Sequence, residues 1–237
     1  MFLTGCFGEK LSFNELMNKG VSSAVGGEWE NARKFAERAV KVSPANVNAL
    51  ILLALAEENT GDADAALGTV SKAVTIDENN YFAQYTRGRL LYEKKHFDSC
   101  IAPLRAALRL RPTATDPLIL LAQSSVSLKN SQDAKSYYSQ LARNRKYAKN
   151  PAPWSELGMT FIAESKPAQA AQYLLYAYRL QPENPKLLLN LGVYYDAYRR
   201  NRAEAVKYYT RFMIITKQNS SMVQKRSEVE KRLQALR

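Results

Sequence analysis

Residues 151–184 read PAPWSELGMTFIAESKPAQAAQYLLYAYRLQPEN, and their spacing decides the fold. Trp154, Leu157, Gly158 and Phe161 recur at helical spacing along a first segment. Ala170, Leu174 and Ala177 do so along a second, and Pro182 closes the unit. The same pattern returns about every 34 residues along the chain. Gly20, Ala32, Ala39 and Pro44 mark one copy, Ala54, Ala66 and Ala73 the next, and Gly88, Cys100, Ala107 and Pro112 a third. A unit of that length is one helical hairpin. It cannot bury its own apolar face and must stack on neighbours, which favours a binding surface over a catalytic cleft.

Within each unit the apolar residues predict two short amphipathic helices. Leu50, Leu53 and Ala54, or Leu118, Leu121 and Ala122, fall on first helices, and Ala66, Val70 and Ala73 on a second. Asn59-Thr60-Gly61-Asp62 and Lys129-Asn130-Ser131-Gln132 read as the turns between them. Proline disfavours helix in the residue before it, so Ser43, Arg111 and Gln181 read as helix ends. Gly20, Ala54, Gly88, Ala122, Gly158 and Gly192 share one phase, where the two helices must approach closely. A larger side chain there would overpack by roughly 1–3 kcal/mol. Cys100 stands where most units have Ala, and reads as a buried structural thiol.

These residues resemble the tetratricopeptide repeat family, whose signature runs from an aromatic or Leu through Leu-Gly and Tyr to spaced Ala, Phe, Ala and Pro. Six units are delimited at 13–46, 47–80, 81–114, 115–150, 151–184 and 185–219. The departures are Lys19 and Ser23 in the first, Glu78 for the final Pro in the second, and Arg87 in the third. The fourth has Leu141 for Ala and two extra residues before Pro151, and the sixth places Ala205 one residue late. The resemblance implies an all-α solenoid, a right-handed superhelix of about six hairpins. Residues 220–237 are expected to form a capping helix, started by Ser220 or Ser221, with Met222, Val229, Leu233 and Leu236 over the open end.

The chain has 237 residues and a net charge of +12, all of it in the second half. Residues 1–118 hold 14 basic and 14 acidic residues, whereas residues 119–237 hold 20 basic and 8 acidic. No apolar run approaches the ~20 residues of a bilayer-spanning helix. Two cysteines do not make a disulfide framework. His96 is the only histidine and lies in a turn, without the convergent ligands a metal needs. Glu57-Glu58 reads as a solvated pair. With no phosphate loop, dinucleotide fingerprint or nucleophile elbow, neither a catalytic residue nor a cofactor is expected.

Leu3-Thr4-Gly5-Cys6 resembles the lipobox of bacterial lipoproteins. That resemblance implies lipidation of Cys6 and, because Phe7 rather than Asp follows, the periplasmic face of the outer membrane. The five residues before Cys6 hold no basic segment and no full apolar run, so export requires a start upstream of Met1 or a trimmed sequence. Six repeats behind a lipidated Cys are similar in organisation to the type IV pilus assembly lipoproteins (pilotins).

By the family pattern, four positions of each first helix face a concave groove. Here they include Met17, Val21, Ile51, Leu55, Glu58, Phe82, Tyr85, Arg89 and Tyr92. Further along come Ile119, Gln123, Val126, Met159, Ile162, Lys186, Leu189 and Val193. Such an apolar surface predicts a protein or peptide partner, an apolar segment or an amphipathic helix. The Lys, Asn and Arg clamp by which similar repeats grip the carboxylate tails of chaperones is not matched in the first three units, where Met17, Val21, Leu52, Phe82 and Thr86 stand at its positions. A basic patch is expected from Arg143, Arg145, Lys146 and Lys149, with Arg199, Arg200 and Arg202. The expected function is a non-catalytic interaction scaffold, an envelope lipoprotein that recruits or positions other envelope proteins. A cytoplasmic adaptor is the alternative, and an RNA-binding repeat protein ranks third.

Overall fold

The computed structural model describes residues 11–236. Leu3–Cys6, and with it the expected lipidation at Cys6, lies outside the described residues. Among these residues there are thirteen α-helices, one π-helical and one 3-10 turn, and no strand. The helices come in pairs: α1 (Phe13–Val25) with α2 (Trp29–Val42), α3 (Val47–Asn59) with α4 (Ala63–Ile76), and α5 (Tyr81–Glu93) with α6 (Phe97–Leu110). Then follow α7 (Thr115–Ser127) and α8 (Ser131–Arg143), α9 (Pro151–Ala163) and α10 (Pro167–Leu180), and α11 (Pro185–Val193) and α12 (Arg202–Ile215). The last is α13 (Val223–Ala235).

Local chemistry sets these boundaries. Asn46, Asn80, Asn150 and Asn184 cap α3, α5, α9 and α11, each side chain accepting from backbone N–H groups of the first turn. Asp62, Asn130 and Asn201 do the same for the second helices α4, α8 and α12. Each such cap contributes about 1 kcal/mol. Ser43, Arg111 and Gln181 do end their helices, each before a proline. The start of the final helix differs from expectation. Asn219, not Ser220 or Ser221, accepts the Ser221 N–H, and a 3-10 turn over Ser220–Met222 precedes α13.

The chain divides into two compact units between Leu120 and Leu121. In unit one, α1 to α6 pack each on the next, and the first helices α1, α3 and α5 also touch in series. In unit two, α8 to α13 pack in the same consecutive way, with α9 against α11. Small residues make this stacking possible. Ala32, Ala66, Cys100, Ala134, Ala170 and Ala205 are fully buried at matching positions of the second helices. A Cβ added to Gly88 would stand 2.6 Å from Leu104, and one on Gly192 would stand 2.4 Å from the Tyr209 ring. At Gly20 the nearest atom belongs to Leu52 of the following hairpin rather than to α2. Cys100 is buried, its thiol directed at the Phe97 carbonyl 3.1 Å away.

The late Ala205 has a structural cause. A π-helical turn, Tyr194–Tyr198, ends the first helix of the last hairpin, and the Arg199 N–H donates to the Tyr194 carbonyl five residues back. That geometry absorbs one extra residue. The left-handed residue of each turn keeps step: Gly27, Gly61, Lys95, Lys129 and Ser165 fall seven residues after the small residue, and Arg200 eight after Gly192. The π turn also projects Asp196 toward α13. Its carboxylate takes a two-pronged contact from Arg232 at 2.6 and 2.7 Å and accepts from the Tyr209 hydroxyl at 3.3 Å. Val229 and Leu233 bury against Phe212 and Tyr208, with Leu236 packed beside them, so α13 covers the end of unit two.

Two glycine substitutions test the packing. Gly192→Ala is expected to lower stability by about 1–3 kcal/mol, because the Tyr209 ring cannot yield as an aliphatic tip can. Gly68→Ala, in the interior of α4 with nothing within 4 Å of the new methyl, should raise it by about 0.5–1 kcal/mol. Urea unfolding followed by circular dichroism measures both.

Candidate functional site

In unit one, the expected groove residues cluster on α5. Tyr81 and Tyr85 stack with ring centroids 6.0 Å apart, and the Arg111 guanidinium lies over the rings of Tyr81 and Phe82 at 4.2 and 4.5 Å. Phe82 remains 51% exposed, the most accessible aromatic of this cluster. Tyr92 turns to the edge of Phe97. Leu55 and Ile119 are half-buried. Ile51 is buried and packs with Ala73, Val74 and Ala83, so it is corrected from groove surface to core.

Arg89 is not waiting for a partner. Its guanidinium grips the Glu58 carboxylate of α3 with two nitrogens and also reaches Glu93 at 2.8 Å. Burial alone would raise the Glu58 pKa, but the Arg89 hydrogen bonds and charge outweigh it and hold the carboxyl below its ordinary 4.5. The same pairing pushes the Arg89 pKa up. Glu57 corrects the expectation of a solvated pair. It is 7% exposed, burial raises its pKa, and its Oε2 has no hydrogen-bond partner among the described residues. Its neighbours Thr69 and Arg33 pull the other way. Glu58 thus ties α3 to α5, while Glu57 is buried on α3.

In unit two, Met159, Leu189 and Val193 are half-buried, Gln123 is exposed, and Ile162 is buried in the core with Leu174 and Leu188. A cleft of about 640 Å³ opens beside Met159, lined by Val126, Ala134 and Ala163 together with Lys129, Lys186 and Asn190. A second, of about 380 Å³, lies between the 144–150 loop and the starts of α9 and α11. Lys146, Lys149 and Lys186 line it with Asn150 and Asn184. Glu156 and Lys186, joined as an ion pair, form a wall common to both clefts. A third cleft, of about 470 Å³, runs by Leu189, Met222 and Phe212 toward α13.

All seven residues of the expected basic patch are exposed, but they sit on different elements. Lys146 and Lys149 reach the second cleft, with Arg143 and Arg145 on the adjoining segment. Arg199 and Arg200 follow the π turn, and Arg202 donates to the Leu236 carbonyl beside α13. The nearby tyrosines are used in packing: Tyr194 is buried, Tyr195 stacks on Tyr208 and Tyr173 on Phe161. Burial pushes the Tyr208 hydroxyl up to about 12. Sequence reasoning gave no weight to Lys129 or to the Glu156–Lys186 pair. The partners lie 30 residues apart, nearly one repeat, and that spacing was the available signal.

A model of the tetratricopeptide repeat matches residues 20–81 and 119–185, more than half of the chain. The chain belongs to the tetratricopeptide repeat family. Solved structures share its fold at low identity. One, from a functional characterisation of pilF of Pseudomonas aeruginosa, is 20% identical over 91% of this chain and 97% of that one, with a TM-score of 0.68. YrrB, described as a tetratricopeptide protein with an unusual peptide-binding site, is 19% identical over 81% of this chain and 97% of that one, at 0.66. MamA of Desulfovibrio magneticus RS-1 is 16% identical over 73% and 96%, at 0.65. No curated protein matches the sequence. As a tetratricopeptide protein the chain has the fold of a protein-interaction scaffold.

The Arg89–Glu58 contact makes a pH-dependent contribution. The Glu58 pKa is lower folded than unfolded, so its stabilisation is full above the unfolded value and is lost as pH falls through the folded one. Glu58→Gln is therefore expected to lower the melting temperature at neutral pH by about 2–4 °C. The deficit should shrink below about pH 4, as thermal melts across pH will show.

Proposed function

We propose that this protein is a non-catalytic scaffold of the bacterial cell envelope that recruits or positions other envelope proteins. The carrying observation is the set of accessible clefts and exposed apolar side chains on the first helices of a tetratricopeptide chain, Val21, Phe82 and Val126 among them. Apolar side chains left open to water beside a cleft are ones a partner can cover. Tyr81 and Tyr85 beside Phe82 add contact area at low entropic cost. His96 supports the non-catalytic reading, since it stands exposed at the start of α6.

The envelope assignment rests on the lipobox-like Leu3–Cys6 stretch, with Cys6 as the acylated residue and the periplasmic face of the outer membrane as the destination. Several acyl chains would anchor the protein stably, where one holds only marginally. Similarity in fold to pilF of Pseudomonas aeruginosa is consistent with a role in pilus assembly. The peptide-binding site named for YrrB is consistent with capture of a polypeptide segment.

Two measurements test this reading. Expressed from the complete gene in a bacterial host, the protein should incorporate labelled palmitate, and Cys6→Ser should abolish the label. An unlabelled wild-type protein would favour the cytoplasmic adaptor. For the groove, Phe82→Ser with Tyr85→Ser should weaken cross-linked capture of the envelope partner about tenfold. The circular dichroism spectrum should not change. Undiminished capture would remove the α5 face from the site.

A further inference from the structure

The charge of unit two and the shape of its paired clefts point to one kind of partner segment. This rests on the scaffold reading and adds the partner's chemistry. Residues 119–237 carry 20 cationic and 8 anionic side chains. Six of the anions are already spent inside the unit. Glu156, Glu164 and Glu183 pair with Lys186, Lys135 and Arg211. Asp196, Glu204 and Glu228 pair with Arg232, Lys207 and Lys225. Lys129, Lys146 and Lys149 are exposed at the clefts, and none has an ion pair among the described residues.

Two further features sharpen the field. The second cleft is lined by the starts of both α9 and α11, whose N-terminal dipoles add positive potential to that of the lysines. The first cleft has an apolar part to its lining, where Val126 is 46% exposed and Met159 and Ala163 take part. The clefts meet at the Glu156–Lys186 pair, so an oily hollow adjoins a cationic one within a single unit. No aromatic ring lines either cleft, which removes the stacking platform that single-stranded nucleic acid uses.

We infer that this face binds a protein segment in which an apolar side chain is followed by clustered Asp or Glu residues. The apolar side chain seats on Val126 and Met159, and the carboxylates lie against Lys146 and Lys149. Lys186 stands between the two, able to share a second carboxylate with Glu156. Lys129 borders the apolar hollow and reinforces the same sign of charge.

Three short peptides with blocked ends and a neutral dye, titrated into the full chain by fluorescence anisotropy, test this. Each carries a central Leu, followed by Asp, Ser or Lys residues. The Asp peptide should bind about tenfold more tightly than the Ser peptide, and less so at high salt. Lys146→Glu with Lys149→Glu should reverse the order in favour of the Lys peptide, with an unchanged thermal melt. Val126→Ser, which removes apolar contact without adding charge, should weaken the Asp and Ser peptides alike. Equal binding of all three overturns the acidic preference while leaving a peptide-binding scaffold intact. If none binds, the inference falls, and the scaffold reading then stands or falls on the α5 variants. Binding instead to phosphatidylglycerol vesicles, lost with Lys146→Glu and Lys149→Glu, overturns it in favour of a membrane surface.

Discussion

The close approach of paired helices at one small residue per hairpin is the constraint on which everything else depends. Where Gly88 faces Leu104 and Gly192 faces Tyr209, the added methyl of an alanine would already collide. Where Ala54 and Ala122 take the place of glycine, both are fully buried. The helices therefore sit at one separation, which lets the next hairpin dock on a repeating surface. First helices line up beside first helices within each unit, and the clefts are the spaces between them. A hairpin held further apart would fill those spaces with its own side chains.

The last hairpin shows how such a constraint is kept when the sequence breaks step. One additional residue between Gly192 and Ala205 would turn the second helix out of phase. The π turn over Tyr194–Tyr198 takes it up, and the left-handed turn residue moves with it to Arg200. The irregularity also aims Asp196 at Arg232 and Tyr209, tying α13 to the end of unit two. There the Arg232 hydrogen bonds hold the Asp196 carboxyl below the usual range, and burial pushes the Tyr209 hydroxyl up.

Electrostatics divide the two units by use. In unit one, carboxylates and guanidinium groups tie helices together, as with Arg89 on Glu58, and Arg111 is drawn over aromatic faces. In unit two the acidic groups are taken by internal pairs, so the surplus lysines are left for the clefts. Complementarity of this kind selects partners and steers their approach more than it adds affinity.

Much of this was legible in the chain alone. The period of the small residues, the helix ends before Pro44, Pro112 and Pro182, and the burial of Cys100 follow from spacing, because local sterics and one-sided burial act on residues near in sequence. The site was less legible. Ile51 and Ile162 fall at groove positions yet are buried, Arg89 is held by Glu58, and Asn219 caps a 3-10 turn ahead of the last helix, which itself starts without a serine cap. The basic patch read as one feature lies on separate elements, and the Glu156–Lys186 wall joins neighbouring hairpins. The sequence by itself determined that the chain would form small-residue helical hairpins. Only the tertiary structure decided which side chains stay open to a partner, because that depends on contacts between hairpins about one repeat apart, which no local period encodes.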